Sequence, residues 1–303
     1  MVDIDLHSAH RQLGATNPLI QCITNTVVQQ FSANVLLAVG AAPAMLDHEA
    51  DAAQFTQIAS GLLVNFGTAT SHQFLAADAA IEAATAHSTP WVLDPVSIGA
   101  ADFRTTRIRR AARCHPTAIR GNASEIAALA GFGLGGRGVD STDEVEAVLP
   151  AAVHLAATTG AIVAVSGPVD AIVAQIDGVD HVVRIEGGHA LMPLVIGTGC
   201  SLGAVTAAYL ASPPTTPGSS ADPSADLATT SASQSANPAI TAAKLTAVVA
   251  AHAHFAVAGA QAAEHAQGPG SYSVAFLDAL HALTADQLAQ ARIEIGTFES
   301  SAA

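Results

Sequence analysis

The segment Ile196-Gly197-Thr198-Gly199-Cys200-Ser201-Leu202-Gly203-Ala204 sets two glycines before a cysteine, then small and apolar residues at helical spacing. Glycine admits backbone conformations that turn successive N–H groups toward one anion. A helix opening there leaves its first N–H groups unpaired and adds the positive end of its dipole. The amides of Gly197, Thr198, Gly199 and Cys200 are therefore a candidate anion hole, with Cys200 beside it as a base or nucleophile. A cysteine at an apolar helix start also serves as a small buried hydrophobe. The flanking glycines favour the chemical reading.

Other polar residues follow apolar runs. Thr24-Asn25, Met45 with Asp47, Asn65 with Gly67-Thr68, Asp94-Pro95, Arg120-Gly121-Asn122 and Ser166-Gly167 each stand at or after the end of a strand-like stretch. Each alone is ordinary turn chemistry, but open parallel sheets bind ligands at the carboxyl ends of their strands. Two readings are open for Asn122-Ala123-Ser124-Glu125. It caps a helix, with Glu125 reaching back to Asn122, or Glu125 joins Asp94 as a ligand of Mg²⁺, which takes few protein oxygens when substrate phosphates fill its other sites. Arg120 is a candidate donor to a nucleotide phosphate, or an ordinary surface arginine. Cys22 lies in an apolar run and reads as structural, as does Cys114. His7, His10, His252 and His254 sit on amphipathic helical patterns with no nearby carboxylate or cysteine pattern, which argues against metal binding by histidine.

These residues need a scaffold. Strands are predicted at Leu19–Ile23, Ala42–Leu46, Leu62–Phe66, Trp91–Asp94, Thr117–Ile119, Ala161–Ser166, Ala171–Gln175 and His181–Ile185. Helical patterns fall at 27–39, 48–59, 71–87, 103–114 and 123–130, and three helices close the chain at Cys200–Ala211, Ala239–Ala266 and Ser271–Ala282. Such alternation implies a mostly parallel sheet covered on both faces. The Asp177-Gly178 turn makes the last two strands a hairpin, hence an antiparallel edge. Residues 212–238 are rich in Ser, Thr, Pro and Ala with almost no large apolar side chain. They are expected to be a disordered insertion within a single domain spanning 1–303.

Composition narrows the function. Eleven basic residues against 25 acidic give a net charge of −14, with Lys244 the only lysine. That balance supplies no nucleic-acid groove, and no Walker-type loop with its lysine exists. The uncharged stretch 25–46 contains Asn25, Gln29, Gln30, Asn34 and Pro43, which argues against a membrane span. The N-terminus lacks a signal pattern and three widely spaced cysteines suit a reducing compartment, so a cytoplasmic location is expected. The glycine run 131–136 does not follow a strand and does not read as a dinucleotide-binding turn.

Taken together, Ile23-Thr24-Asn25, Leu93-Asp94-Pro95-Val96, Ile119-Arg120-Gly121-Asn122-Ala123-Ser124-Glu125, Gly187-Gly188-His189, Gly197-Thr198-Gly199-Cys200 and Gly268-Pro269-Gly270-Ser271-Tyr272 resemble the hydroxyethylthiazole kinases of the ribokinase-like superfamily. The resemblance runs from about residue 16 to 280, outside the insertion. It implies a three-layer α/β/α sandwich and ATP- and Mg²⁺-dependent phosphorylation of the alcohol of 4-methyl-5-(2-hydroxyethyl)thiazole, a step toward thiamine. It further implies a homotrimer with substrate pockets between subunits. By the same resemblance Met45, Gly197, Asn25 and Gly67 are expected at the thiazole, Arg120 and Ser166 at ATP, Asp94 and Glu125 at Mg²⁺. Cys200 stands where most of the superfamily has a catalytic aspartate. Ser166 replaces a common threonine, Pro193-Leu194 replaces a common Thr-Lys pair, and Ile196 replaces a threonine. A sister kinase of another small alcohol, such as hydroxymethylpyrimidine, and a nucleotide sensor without catalysis are the competing readings.

Overall fold

Apolar runs of four to eight residues that alternate with helical segments fold here into one sheet with helices on both faces. The computed structural model describes residues 2–132, 142–213 and 237–299. In chain order the elements are α1 Leu6–Thr16, β1 Leu19–Ile23, α2 Gln29–Ala38, β2 Ala42–Ala44, α3 Ala52–Thr56, β3 Gly61–Asn65, α4 Ser71–His87 and β4 Trp91–Asp94. They continue with α5 Asp102–Ala112, β5 Ala118–Asn122, α6 Ala123–Ala130, α7 Thr142–Thr159, β6 Ile162–Ser166, β7 Val169–Ile176 and β8 Val179–Glu186. A 3₁₀ turn at Met192–Leu194 leads into α8 Thr198–Leu210, and α9 Pro238–His265, α10 Pro269–Ala282, α11 Ala285–Leu288 and β9 Arg292–Thr297 close the chain.

The strands order as β2-β1-β3-β4-β5-β6-β7-β8-β9. Pairing is parallel from β2 through β6 and antiparallel from β6 through β9. Successive side chains of a strand point to opposite faces, and each face has its own core. On β6, Ile162 and Ala164 join the core under α1, α2 and α8–α11, whereas Val163 and Val165 join the core under α3–α7. The result is the expected α/β/α sandwich with an antiparallel edge. The β7–β8 hairpin turns through Asp177 and Gly178, both at positive φ (52° and 76°), the geometry a two-residue turn requires.

Several boundaries differ from expectation. Arg120, Gly121 and Asn122 lie inside β5, not after it, because Arg120 is buried and its backbone stays in the ladder with β6. The second strand stops at Ala44, leaving Met45 beyond it, and the 48–59 pattern yields only the short α3. Helix α7 was not anticipated; it contains Pro150, which normally signals a helix break. Strand β9 was also missed. Its Ile293 and Ile295 face the core between Arg292, Glu294 and Thr297, a pattern too short to stand out after three helices. The 212–238 insertion falls mostly on 214–236, outside the described residues, as does most of the glycine run that begins where Gly131 caps α6. Helix α9 is apolar and long enough to cross a membrane, but 61% of its most apolar window is buried inside the molecule.

Candidate active site

The register of the parallel strands decides which side chains meet. Asn65 pairs with Asp94 across β3 and β4, and Asn122 pairs with Ser166 across β5 and β6. Asp94, Asn122 and Ser166, with Asn25 after β1, border a cleft of about 1070 Å³ that the N-terminus of α8 also lines. That is room for a small alcohol and a nucleotide together.

Gly197 caps α8 at φ 101°, a conformation that favours glycine. A Cβ there would also come within 2.8 Å of Phe31. The next residues start the helix, so their N–H groups lack partners one turn back. Thr198 N–H bonds Val195 O at 3.4 Å and Ser201 N–H bonds Gly197 O at 2.8 Å. Among the described residues the amides of Gly197, Gly199 and Cys200 make no hydrogen bond, so of the four donors expected at an anion hole only Thr198 is engaged within the protein. The Thr198 hydroxyl turns away and donates to Met192 O at 3.0 Å.

A hydrogen-bonded chain runs under this cap. Asn25 Nδ2 donates to Cys200 Sγ at 3.3 Å and to Asn65 Oδ1 at 3.2 Å, and Gly67 N–H donates to the same Asn65 oxygen at 3.0 Å. Asn65 Nδ2 then donates to Asp94 Oδ2 at 2.9 Å. Asp94 is fully buried, and its Oδ1 has no hydrogen-bond partner among the described residues. Burial pushes its carboxyl up to about 7, and the Glu125 charge adds to the shift while Arg120, 3.9 Å away, opposes it. Desolvation disfavours the charged form more than one cation at that distance restores it. Arg120 is itself buried, which removes the surface reading; its Nε and Nη2 donate to Ser166 Oγ at 3.1 and 2.9 Å. A Cβ at Gly199 would lie 3.1 Å from Arg120 Nη1, so glycine there lets the helix start rest on the guanidinium.

Glu125 carries the cap as read from the sequence. Asn122 N–H donates to Glu125 Oε2 at 2.9 Å, and Glu125 N–H donates to Asn122 Oδ1 at 2.9 Å. Its Oε1 also takes Ser97 N–H at 3.4 Å, and both Glu125 and Asp94 border the cleft. Among the described residues no group of three or more His, Cys, Asp or Glu side chains is placed to hold a metal. Burial and the neighbouring Asp94 raise the Cys200 thiol to about 11, against the opposing pull of Arg120 and the Asn25 hydrogen bond. Cys22 is buried in β1 and its thiol is pushed up to about 12 by desolvation.

Of the expected site residues, Asn25, Gly67, Asp94, Arg120, Glu125, Ser166 and Gly197–Cys200 all border the cleft, and Met45 does not. Met45, partly buried, packs against the core of one sheet face just beyond the edge strand β2. Sequence reading singled out Asn65 only as a strand-end residue, yet it links Asn25, Gly67 and Asp94. It missed Asp170, which borders the cleft and pairs with His252 Nδ1 at 2.6 Å. The sequence around His252 shows no carboxylate pattern, and the carboxylate it meets lies 82 residues away in sequence, where no spacing could reveal it.

A parallel sheet whose carboxyl ends hold a buried carboxylate–arginine pair beneath unpaired helix amides defines a ribokinase-like small-molecule kinase. The comparisons with known proteins agree. The model of the hydroxyethylthiazole kinase family matches residues 11–239. A hydroxyethylthiazole kinase of Corynebacterium efficiens is 49% identical over 95% of this chain and 96% of its own, and one of Citrobacter koseri is 46% identical over 93% and 98%. The structure of a hydroxyethylthiazole kinase protein from Pyrococcus horikoshii superposes with a TM-score of 0.78 at 28% identity, covering 96% of this chain and 98% of that one. A Staphylococcus aureus pyridoxal kinase, at 14% identity and a TM-score of 0.56, shares the fold. The chain belongs to the hydroxyethylthiazole kinase family.

Proposed function

We propose that this chain uses ATP to phosphorylate the hydroxyethyl alcohol of 4-methyl-5-(2-hydroxyethyl)thiazole, a step of thiamine biosynthesis. The observation that carries the reading is the pair of unpaired amides at Gly199 and Cys200, opening beside Asp94 and Arg120 in one cleft. Phosphoryl transfer needs positioning and charge neutralisation more than covalent help. In this reading Asn25, Gly67 and Gly197 line the thiazole end, and Arg120 with Ser166 meets the ATP phosphates. The Gly199 and Cys200 amides stabilise charge on the group in flight.

Cys200 stands beside the reacting hydroxyl. With its thiol raised to about 11, it is neutral at pH 7 and acts as a weak acceptor that orients the hydroxyl. In a loose transition state the alcohol's proton leaves late, so a weak base suffices. Asp94 and Glu125 fit Mg²⁺: the buried Asp94 Oδ1 has no hydrogen-bond partner among the described residues, and two carboxylates leave the remaining positions to ATP oxygens. Bound there, Mg²⁺ supplies neutralisation of the polyphosphate charge.

The reading extends to a homotrimer with pockets shared between subunits, acting in the cytoplasm. It is supported by Val27, Leu194 and Ile196, which lie at or beside the cleft mouth with 67%, 62% and 71% of their surface exposed. An apolar rim of that kind is what a neighbouring subunit covers, and Met45 at the sheet edge would then serve the neighbour's cleft. Equilibrium sedimentation should give the mass of three chains; a monomer would remove this part.

The deciding assay is ATP consumption with Mg²⁺ against a panel that includes the hydroxyethylthiazole and hydroxymethylpyrimidine alcohols. Turnover should be highest with the thiazole. Nucleotide binding without turnover of any alcohol would replace the kinase with a sensor.

A further inference from the structure

Helix α9 holds a histidine that the proposed reaction leaves without a task. His252 is completely buried, and its Nε2 has no hydrogen-bond partner among the described residues. Its Nδ1 lies 2.6 Å from Asp170 Oδ2. Asp170 is the second residue of β7, which follows the two-residue link Gly167-Pro168 from β6, and it borders the cleft with 16% of its side chain exposed. Its second oxygen, Oδ1, accepts the Gly167 N–H at 2.9 Å. Gly167 directly follows Ser166, the hydroxyl that fixes Arg120. One connected path therefore leads from the core of α9 to the arginine at the cleft.

A carboxylate on the wall of a cleft that receives polyphosphate is a liability, because like charges repel strongly where water is scarce. Here both carboxylate oxygens are engaged by donors of the protein itself. We propose that His252 is a positioning residue for the nucleotide: it holds Asp170 away from the phosphates and, through Asp170, sets the link that carries Ser166 and Arg120. This rests on the reading that Arg120 and Ser166 meet ATP. It does not depend on which alcohol is phosphorylated.

The test is calorimetric titration of MgATP without alcohol, read beside KM and kcat. His252→Leu should weaken ATP binding about tenfold to a hundredfold, the range for one lost hydrogen bond to a charged group. It should leave the KM for the thiazole alcohol and kcat within about twofold, since only the nucleotide wall moves. His252→Asn, which presents an N–H donor where Nδ1 stands, should restore most of the affinity. His252→Leu combined with Asp170→Asn should also bind better than His252→Leu alone, because no free charge remains; a merely structural histidine predicts additive losses. Asp170→Ala, at a partly exposed position, removes the charge but also the acceptor of the Gly167 N–H, so it frees the link that carries Ser166 and should still weaken ATP binding; it carries the test if His252→Leu does not fold. Parent-like ATP affinity in His252→Leu or in Asp170→Ala overturns the proposal. Should the parent bind ATP yet phosphorylate no alcohol, the kinase reading fails while the binding comparison still judges His252.

Discussion

Cys200 sits at the start of α8, where an unpaired helix end ordinarily lowers a thiol's pKa, yet burial and the carboxyl of Asp94 carry it up to about 11. An aspartate at the same place has an ordinary pKa of about 3.9, so a carboxylate there is ionised at neutral pH even after a substantial upward shift. Cys200→Ala should lower kcat by roughly 10²–10⁴-fold, the range for a positioned acid–base group. The neutral thiol of the parent favours the lower end. Cys200→Asp should match or exceed the parent kcat. Wild-type turnover in the alanine variant, measured by single-turnover phosphorylation, would remove Cys200 from proton transfer. Much of this site was legible in the sequence because its residues sit in short motifs: two glycines before a cysteine, and Asn122 three residues before Glu125. Asn65 and the Asp170–His252 pair were not, because their roles come from strand register and from contact across the sheet.

Among the elements, α6 shows how one side chain holds two offices. Its capping box uses Glu125 Oε2 to take the Asn122 N–H, while the same carboxylate borders the cleft. Glutamine also completes a capping box, so Glu125→Gln separates the two. The variant should keep its stability within about 0.5 kcal/mol, as expected where no named destabilising mechanism is engaged, and lose at least about tenfold in kcat. Thermal melts beside steady-state kinetics read both, and undiminished kcat would reduce Glu125 to a cap. Element identity followed from periodicity wherever segments were long or fully apolar, as in β3 and α4. It failed for α7, whose Pro150 mimics a break, and for β9, whose pairing with β8 joins segments more than a hundred residues apart in sequence. The end of β5 was misjudged because a buried arginine and a glycine read as loop. Only the ladder to β6 and the bonds to Ser166 keep Arg120 in the strand.

At the scale of the whole molecule, the helical layer over one face of the sheet is sealed by a second buried histidine. His254 Nδ1 accepts from the Tyr209 hydroxyl at 2.9 Å. Its Nε2 donates to Leu280 O at 3.0 Å, so α8, α9 and α10 meet on one neutral imidazole. Desolvation lowers its pKa from 6.5 to about 3, with the nearby His10 shifted in the same direction. The unfolded chain therefore binds a proton that the folded chain refuses throughout that interval. Stability from this group is fully present above pH 6.5 and is lost as pH falls toward 3, by at most about 1.4 kcal/mol per pH unit. The carboxylates with lowered pKa, Asp5 and Glu146, start from ordinary values of 3.8 and 4.5, so they act below the window from pH 7 to 5. Asp94, raised to about 7, works in the opposite sense and gains stability as pH falls from 7 to 5. The histidine contribution is therefore read as a difference between parent and variant. His254→Gln, which cannot titrate, should melt lower than the parent at pH 7, and the gap should shrink as pH falls to 5. A gap that stays constant from pH 7 to 5 would show that the three helices are not joined through a histidine that must stay neutral.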